Sequence, residues 1–403
     1  MKEAGRARVA LFVTLVIQIY VSLAATSSAV LAPLVAPDFG LSPNVVGLFS
    51  GLVYAGSMSA SLVAGGFIGR HGPIRVSQAG VLICGLGMAL VALAAEVPFG
   101  AVLLVIAPVI LGLGYGPITP ASSEVLSRTT APSRMSLTFS IKQTGVPAGA
   151  ALGGALLPAL ALGMGWQAAL AGIAAVGVVV ALLAQRTRSD LDRHRVRDRP
   201  VTLRGAFAPL GIVRRHRRLR ELAIVSFVYA ATQVSLSSYL VVYGVEALGL
   251  SIVSAGFALT ATTLGGIVGR LLWGAIADHY VPPHRVLVVL GLAAGLCALA
   301  TAAYPAAWPI GPLYVIVVLF GGTAIGWNGV HLAEVARHAP PGQAGAVTGA
   351  ASFITFSGVA CGPPLFGLLA ALTGSYRIGF VALGLSTMAA ATWLWRRTRA
   401  SAV

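Results

Sequence analysis

The chain has 403 residues, of which 57% are hydrophobic and only 9% charged, and its formal net charge is +16. Soluble domains are about one quarter charged, so an apolar excess of this size excludes a water-surrounded globule and makes lipid the solvent. The 49 glycines agree, because small residues let membrane helices approach closely.

Apolar runs of the ~20 residues a bilayer requires recur along the whole chain. The first, 9–33, is too long for a cleaved leader and carries Gln18, Ser22 and Thr26 at four-residue spacing. The second, 44–68, leads into GGFIGRHGPIRV with Arg70 and Arg75, and the third covers 76–95. The fourth, 101–126, holds GLGYGPITP, a predicted bend carrying Tyr115 and Thr119, then Glu124 with Arg128 and Arg134 close behind. The fifth, 135–158, contains Lys142, one of only two lysines in the chain, and the sixth is 166–185. After an arginine-rich stretch the seventh, 222–246, places Tyr229, Gln233 and Ser237 at four-residue spacing. The eighth, 252–276, contains Arg270 and is followed by Asp278, and the ninth is 286–304. The tenth, 312–335, holds a second predicted bend in FGGTAIGWNG and then Trp327, Asn328, His331 and Glu334, with Arg337 beyond. The eleventh and twelfth are 345–371 and 377–395.

Positive charge sorts to one side of these runs. Lys2, Arg6 and Arg8, Arg70 and Arg75, Arg128 and Arg134, the block from Arg186 to Arg220, Arg285, Arg337, and Arg396 to Arg399 all share a side if the runs alternate. The other side carries Asp38, Glu96, Glu246 and Arg377, with Trp166, Tyr304 and Trp308 as interfacial anchors. That is the positive-inside pattern, so both termini and the central segment are expected in the cytoplasm. Topology and contact with anionic lipid account for the arginine block without nucleic acid. Cys84, Cys297 and Cys361 lie inside runs, so neither a disulfide framework nor metal-ligand spacing is expected. A Walker-type phosphate loop is also absent, so no cofactor and no enzymatic activity are expected.

The chain repeats itself. EVLSRTTAPSRMSLTFSIKQTGVPAGAALGG from Glu124 parallels EVARHAPPGQAGAVTGAASFITFSGVACGPPLFG from Glu334, and GGFIGRHGPIRV parallels WGAIADHYVPPHRV. This predicts an all-α membrane protein with twelve transmembrane helices in two pseudo-symmetric six-helix bundles, 1–185 and 221–403, joined by an Arg-rich cytoplasmic linker at 186–220.

These motifs resemble the major facilitator superfamily from end to end. Its loop signature after the second span reads Gly65, Gly69, Arg70, Gly72 and Arg75 here, with glycine at Gly69 where the family has an acid. The second-half copy keeps the acid as Asp278, with His279 in the basic slot. The fifth span resembles the family's glycine-rich antiporter motif, with Ala150 where proline is usual and Pro363 in the second-half copy. The resemblance implies a cytoplasmic charge latch, drawn from Arg70, Arg75, Glu124, Arg128, Arg134, Asp278, Glu334 and Arg337. Glu124 with Arg128 or Arg134 is expected to compensate for the acid missing at Gly69.

Ionisable groups inside a membrane cost about 2.5–3.5 kcal/mol on insertion scales, so each is a candidate for function. Lys142 lies about 12 Å along its helix from Arg134, and Arg270 about the same distance from Asp278. In the sequence no acid shares their depth. Lys142 either snorkels to water or faces a cavity, and Arg270 either bonds neighbouring carbonyls or does the same. Together the two cations point to an anion, which a guanidinium grips bidentately and an ammonium attracts as a point charge. Gln18, Tyr115, Gln233, Trp327, Asn328 and His331 complete the candidate substrate site, and His331 is placed to exchange a proton near neutral pH.

The expectation is a bacterial inner-membrane transporter of a small organic anion, a carboxylate, working by alternating access and driven by protons or anion exchange. It is nearest in character to the organic-anion and monocarboxylate branches that the resemblance suggests. Its partners would be the substrate, the bilayer and protons, and it would act as a monomer. A multidrug/H+ antiporter and a non-transporting ligand sensor on the same fold are the alternatives.

Overall fold

A computed structural model of the chain describes residues 3–40, 46–196 and 203–399. Those residues are predominantly helical, with turns and short loops between the helices, and contain no strand. In chain order the helices are α1 (Glu3–Asp38), α2 (Val46–His71), α3 (Pro73–Ala94), α4 (Gly100–Tyr115), α5 (Ile118–Thr129), α6 (Met135–Gln143), α7 (Gly145–Met164) and α8 (Trp166–Leu191). They continue as α9 (Leu203–Arg215), α10 (Arg217–Glu246), α11 (Ile252–His279), α12 (Pro283–Ala303), α13 (Ile310–Ala324), α14 (Asn328–His338), α15 (Ala344–Thr373) and α16 (Tyr376–Arg399). Twelve segments are long and apolar enough to cross a membrane, matching the twelve apolar runs.

Three of the twelve segments are built from two helices each: α4 with α5, α6 with α7, and α13 with α14. The breaks follow from local chemistry. Pro117 and Pro120 deny the turn its N–H donors between α4 and α5, and Pro147 has none to give the carbonyl of Gln143 at the end of α6. Between α13 and α14 the break falls in the glycine-rich IGWNG segment. Two of the three breaks lie in the bends expected from the sequence; the one at Thr144 does not.

The chain forms two compact units. One comprises residues 1–130, 142–215 and 339–353, the other 131–141, 216–338 and 354–403. The first unit is seamed by glycine. A side chain on Gly145 would meet Gln18, one on Gly149 would meet Ile19 and Ser22, and one on Gly153 would meet Thr26, so these three glycines let α7 lie directly on α1. The glycines of the antiporter-like motif are therefore packing surfaces. In the second unit the corresponding seam runs along α15, where Gly358 abuts Phe227 and Gly362 abuts Ala231 on α10.

The 186–220 stretch is not uniformly irregular. α8 runs on to Leu191, and α9 forms within the stretch and packs beside α2. Helix starts carry the chemistry expected of them. Gly72, at φ 91, precedes Pro73 at the first position of α3, and the Ser251 hydroxyl accepts from Ser254 N at 3.1 Å at the start of α11.

The seam yields a contrast that can be measured. Gly149→Val should lose most of its monodisperse folded yield in detergent, because overpacking of this kind costs about 1–3 kcal/mol. Gly154→Val, at a position with nothing within 4 Å, should be indistinguishable from the parent in the same size-exclusion assay.

Candidate functional site

Lys142 occupies the last turn of α6, immediately before the break at Thr144, and is 1% exposed. Its ammonium donates to Gln18 Oε1 at 2.6 Å, to Gln143 Oε1 at 3.2 Å and to Thr119 Oγ1 at 3.4 Å. Gln18 is itself oriented, since its Nε2 donates to Ser22 Oγ at 3.1 Å one turn along α1. The polar stripes noted on the first and fourth spans thus converge on the fifth-span lysine. Tyr115 is the last residue of α4, four positions before that cluster's Thr119 across the α4–α5 break, and is half-buried. Snorkelling is ruled out, because the lysine head group is enclosed.

Arg270 is 2% exposed and donates from Nε to the carbonyl of Ile325 at 3.1 Å. Ile325 is the residue following α13, where the broken helix leaves a carbonyl without its usual donor. One turn on, Trp273 Nε1 donates to Gly322 O at 3.0 Å, so α11 supports the α13–α14 break at two points.

At the same break Gln233 Oε1 accepts from Asn328 Nδ2 at 2.8 Å and from Trp327 Nε1 at 3.2 Å. Trp327 is 1% exposed and stands edge-on to Tyr229 and to His331, with ring centroids 5.7 and 5.2 Å away. Tyr229 turns aside to donate to Leu287 O at 2.8 Å on α12, and Ser237 is exposed and bonds its own helix, so only Gln233 of that stripe joins the cluster. His331 is 2% exposed, and neither ring nitrogen has a hydrogen-bond partner among the described residues. Burying an imidazole in this way is costly, which makes it the least satisfied polar side chain of the cluster.

Residues 14–360 match the family model described as "Major Facilitator Superfamily". The chain belongs to that superfamily. The hexuronate transporter of Bacillus subtilis is 22% identical over 255 residues, which are 62% of this chain and 60% of that protein. The gentisate transporter of Corynebacterium glutamicum is 26% identical over 298 residues, which are 70% of this chain and 64% of that protein. The chain thus spans less than two thirds of the length of these relatives. Among solved structures, the E. coli fucose:proton symporter FucP is similar with a TM-score of 0.77 at 19% identity, covering 97% of this chain and 99% of that one. The human organic anion transporter MFSD10 is similar at 0.74 and 18%, covering 98% and 100%. At such identities the structural likeness concerns the fold.

Glu124 Oε2 accepts from Gly345 N at 2.6 Å, in the first turn of α15, and the same carboxylate is ion-paired to Arg128. The second-half acid, Asp278, accepts from Ser136 N at 2.9 Å and Leu137 N at 2.7 Å, in the first turn of α6. Arg337 pairs with Asp278 at 3.0 Å and with Glu334 at 2.9 Å. Arg70, Arg75 and Arg134 are exposed and join no ion pair among the described residues.

One such carboxylate escaped the sequence reading. Asp192, fully buried just past α8, accepts from Ile74 N at 2.7 Å and Arg75 N at 3.0 Å, capping α3. A side chain on Gly72 would collide with it, which is a second reason for glycine there. Burial pushes the Asp192 carboxyl up from its ordinary value, while the two backbone donors and the Arg188 and Arg195 charges hold it down. Its only signal in the sequence was an acid among arginines, more than 100 residues from the helix it caps. Asp192→Ala strips the N-terminus of α3 of its acceptor and should lower stability by about 1–2 kcal/mol, seen as a drop in melting temperature, whereas Asp190→Ala, at an exposed ion pair, should change little.

Proposed function

We propose that this chain is a secondary active transporter of a small organic anion, a carboxylate, working by alternating access. The observation that carries the reading is the Lys142 ammonium, enclosed in a membrane-spanning segment and held by amide and hydroxyl oxygens. Amide and hydroxyl oxygens hold the head group in place, and an ammonium so positioned would attract a substrate carboxylate as a point charge. Arg270 is proposed to contribute a second cationic contact, with Gln18, Tyr115, Gln233, Trp327, Asn328 and His331 shaping the rest. Relatives named for hexuronate and gentisate, both organic anions, support the substrate class.

His331 is proposed as the coupling group, since its two unsatisfied ring nitrogens leave room to take up and release a proton. Glu124 with Arg128, and Asp278 and Glu334 with Arg337, would act as ion-pair latches, with Arg70, Arg75 and Arg134 completing a basic rim. The arginine distribution supports both termini on the cytoplasmic side, and the compact, loop-poor chain suits a bacterial inner membrane. We read the protein as a monomer with transport and no enzymatic role.

Ligand screening tests the substrate. A uronate or hydroxybenzoate that is a true substrate should raise the melting temperature of purified protein, by the equivalent of about 2.7 kcal/mol at one hundred times its dissociation constant. Uncharged sugars should not, and Lys142→Ala and Arg270→Ala should abolish the shift; a full shift in both variants defeats the anion reading. Coupling is tested in proteoliposomes. His331→Gln should retain substrate counterflow yet lose accumulation driven by an imposed pH gradient, and wild-type accumulation in that variant would exclude His331 as the proton carrier.

A further inference from the structure

The first unit carries a groove whose apolar lining the transport reading does not use. α2 and α3 both rest on the α4–α5 segment through glycine. A side chain on Gly56 would meet Gly112 and Leu113, and one on Gly80 would meet Gly114 and Ile118. Between the two helices an apolar trough of about 400 Å³ remains open, walled by Ala64 and Phe67 of α2 and by Ala79 and Ile83 of α3, and floored by Leu113. Phe67 and Leu113 are 43% and 40% exposed, so the trough faces out of the unit rather than into its core.

Its length and its charge identify the occupant. Along α2 the lining runs from Ala60 to His71, eleven helical steps or about 16 Å. That is about half of a ~30 Å hydrocarbon core, the depth of one leaflet. The lining is apolar for most of this length and ends in two basic residues, His71 and Arg75. His71 is laid flat on Phe67, with ring centroids 6.2 Å apart and planes within 20°. Arg75 is exposed, its guanidinium joins no ion pair among the described residues, and its backbone N–H is held by Asp192. A trough one leaflet long with a cation at its mouth matches an acyl chain below an anionic headgroup.

We propose that the α2–α3 groove is a binding site for an anionic glycerophospholipid of the leaflet at the arginine-rich end, with one acyl chain in the trough and the phosphate on Arg75 and His71. Zwitterionic lipid fills the same trough but gains less at its mouth. A soluble phosphate has the headgroup chemistry without the chain, and it is the control that separates a lipid site from a bare basic patch. The proposal is independent of the identity of the transported substrate.

Native mass spectrometry and thermal shift of the full-length protein in detergent test it, with dioleoyl phosphatidylglycerol, dioleoyl phosphatidylcholine and glycerol phosphate as probes. Phosphatidylglycerol should give the most persistent adducts and the largest stabilisation, and glycerol phosphate none. Arg75→Gln should weaken phosphatidylglycerol roughly fivefold, the equivalent of one arginine at a membrane surface, and leave phosphatidylcholine unchanged. Ala79→Trp, on the exposed wall, should fill the trough and weaken both lipids, with Leu113→Trp as a second filler should the first fail to fold. Equal retention of both lipids by the parent, stabilisation by glycerol phosphate equal to that by lipid, or unaltered lipid adducts in the filled-groove variants would each overturn the assignment.

Discussion

Helix beginnings are the recurring expense of this fold. Each helix leaves its first N–H groups without an internal partner, and in a chain with 11 acidic residues few carboxylates exist to satisfy them. Three are committed to that task from a distance: Asp192 to α3, Glu124 to α15 and Asp278 to α6. A carboxylate at a helix N-terminus meets both unsatisfied donors and the positive end of the helix dipole. Removing one partner strands a buried charge or a buried donor, which is the costly direction of such a change. The arginines that accompany these acids are more exposed than the acids themselves, Arg128 at 30% against Glu124 at 3%. The cap is therefore the fixed element, and the ion pair is the part that solvent can reach.

The same logic explains where polar side chains gather inside the spans. Interrupted helices are tolerated at membrane depth where the freed backbone groups find partners. At the α13–α14 break Arg270 and Trp273 answer the carbonyls of Ile325 and Gly322. The α4–α5 and α6–α7 breaks lie beside the cluster of Thr119, Lys142, Gln143 and Gln18. Broken backbone and buried polar side chains thus occur together, and the proposed substrate residues are concentrated at the breaks. Tyr229 shows a divided role, its ring packed edge-on to Trp327 at the break and its hydroxyl drawn to the Leu287 carbonyl on α12.

The sequence was most legible where a property is local. Apolar runs located all twelve spans, and glycine with proline located two of the three breaks, because both depend on a few adjacent residues. The third break was legible in principle, since Pro147 withholds a donor from Gln143, but the lysine beside it drew the reading toward charge. For Lys142 and Arg270 the sequence left open whether each cation meets water, a cavity or neighbouring polar groups, because the groups around them come from distant helices. The acceptor role of Asp192 was not legible, because the partners of a long-range cap are set by how α8 returns beside α3. For the same reason the carbonyl that holds Arg270 could be named only as a class of partner.

Lys142 shows why enclosure matters more than placement. An ammonium on a flexible stem near a membrane edge normally escapes along the helix to water. Here Gln18 reaches from α1, held by Ser22, and Thr119 reaches from α5, so the head group is met from two other helices as well as from Gln143 beside it. The glycine at Gly145 is what brings the first of these within range, since a side chain there would strike Gln18. A motif that looks like a packing device in the sequence thereby sets the position of a buried charge. Lysine offers three donors and no acceptor, and the amide and hydroxyl oxygens of Gln18, Gln143 and Thr119 are among the groups that meet them. A cation held in place by hydrogen bonds to several helices is positioned in advance, which is what the proposed anion contact would require. That combination ties the fold of the first unit to the function proposed for it.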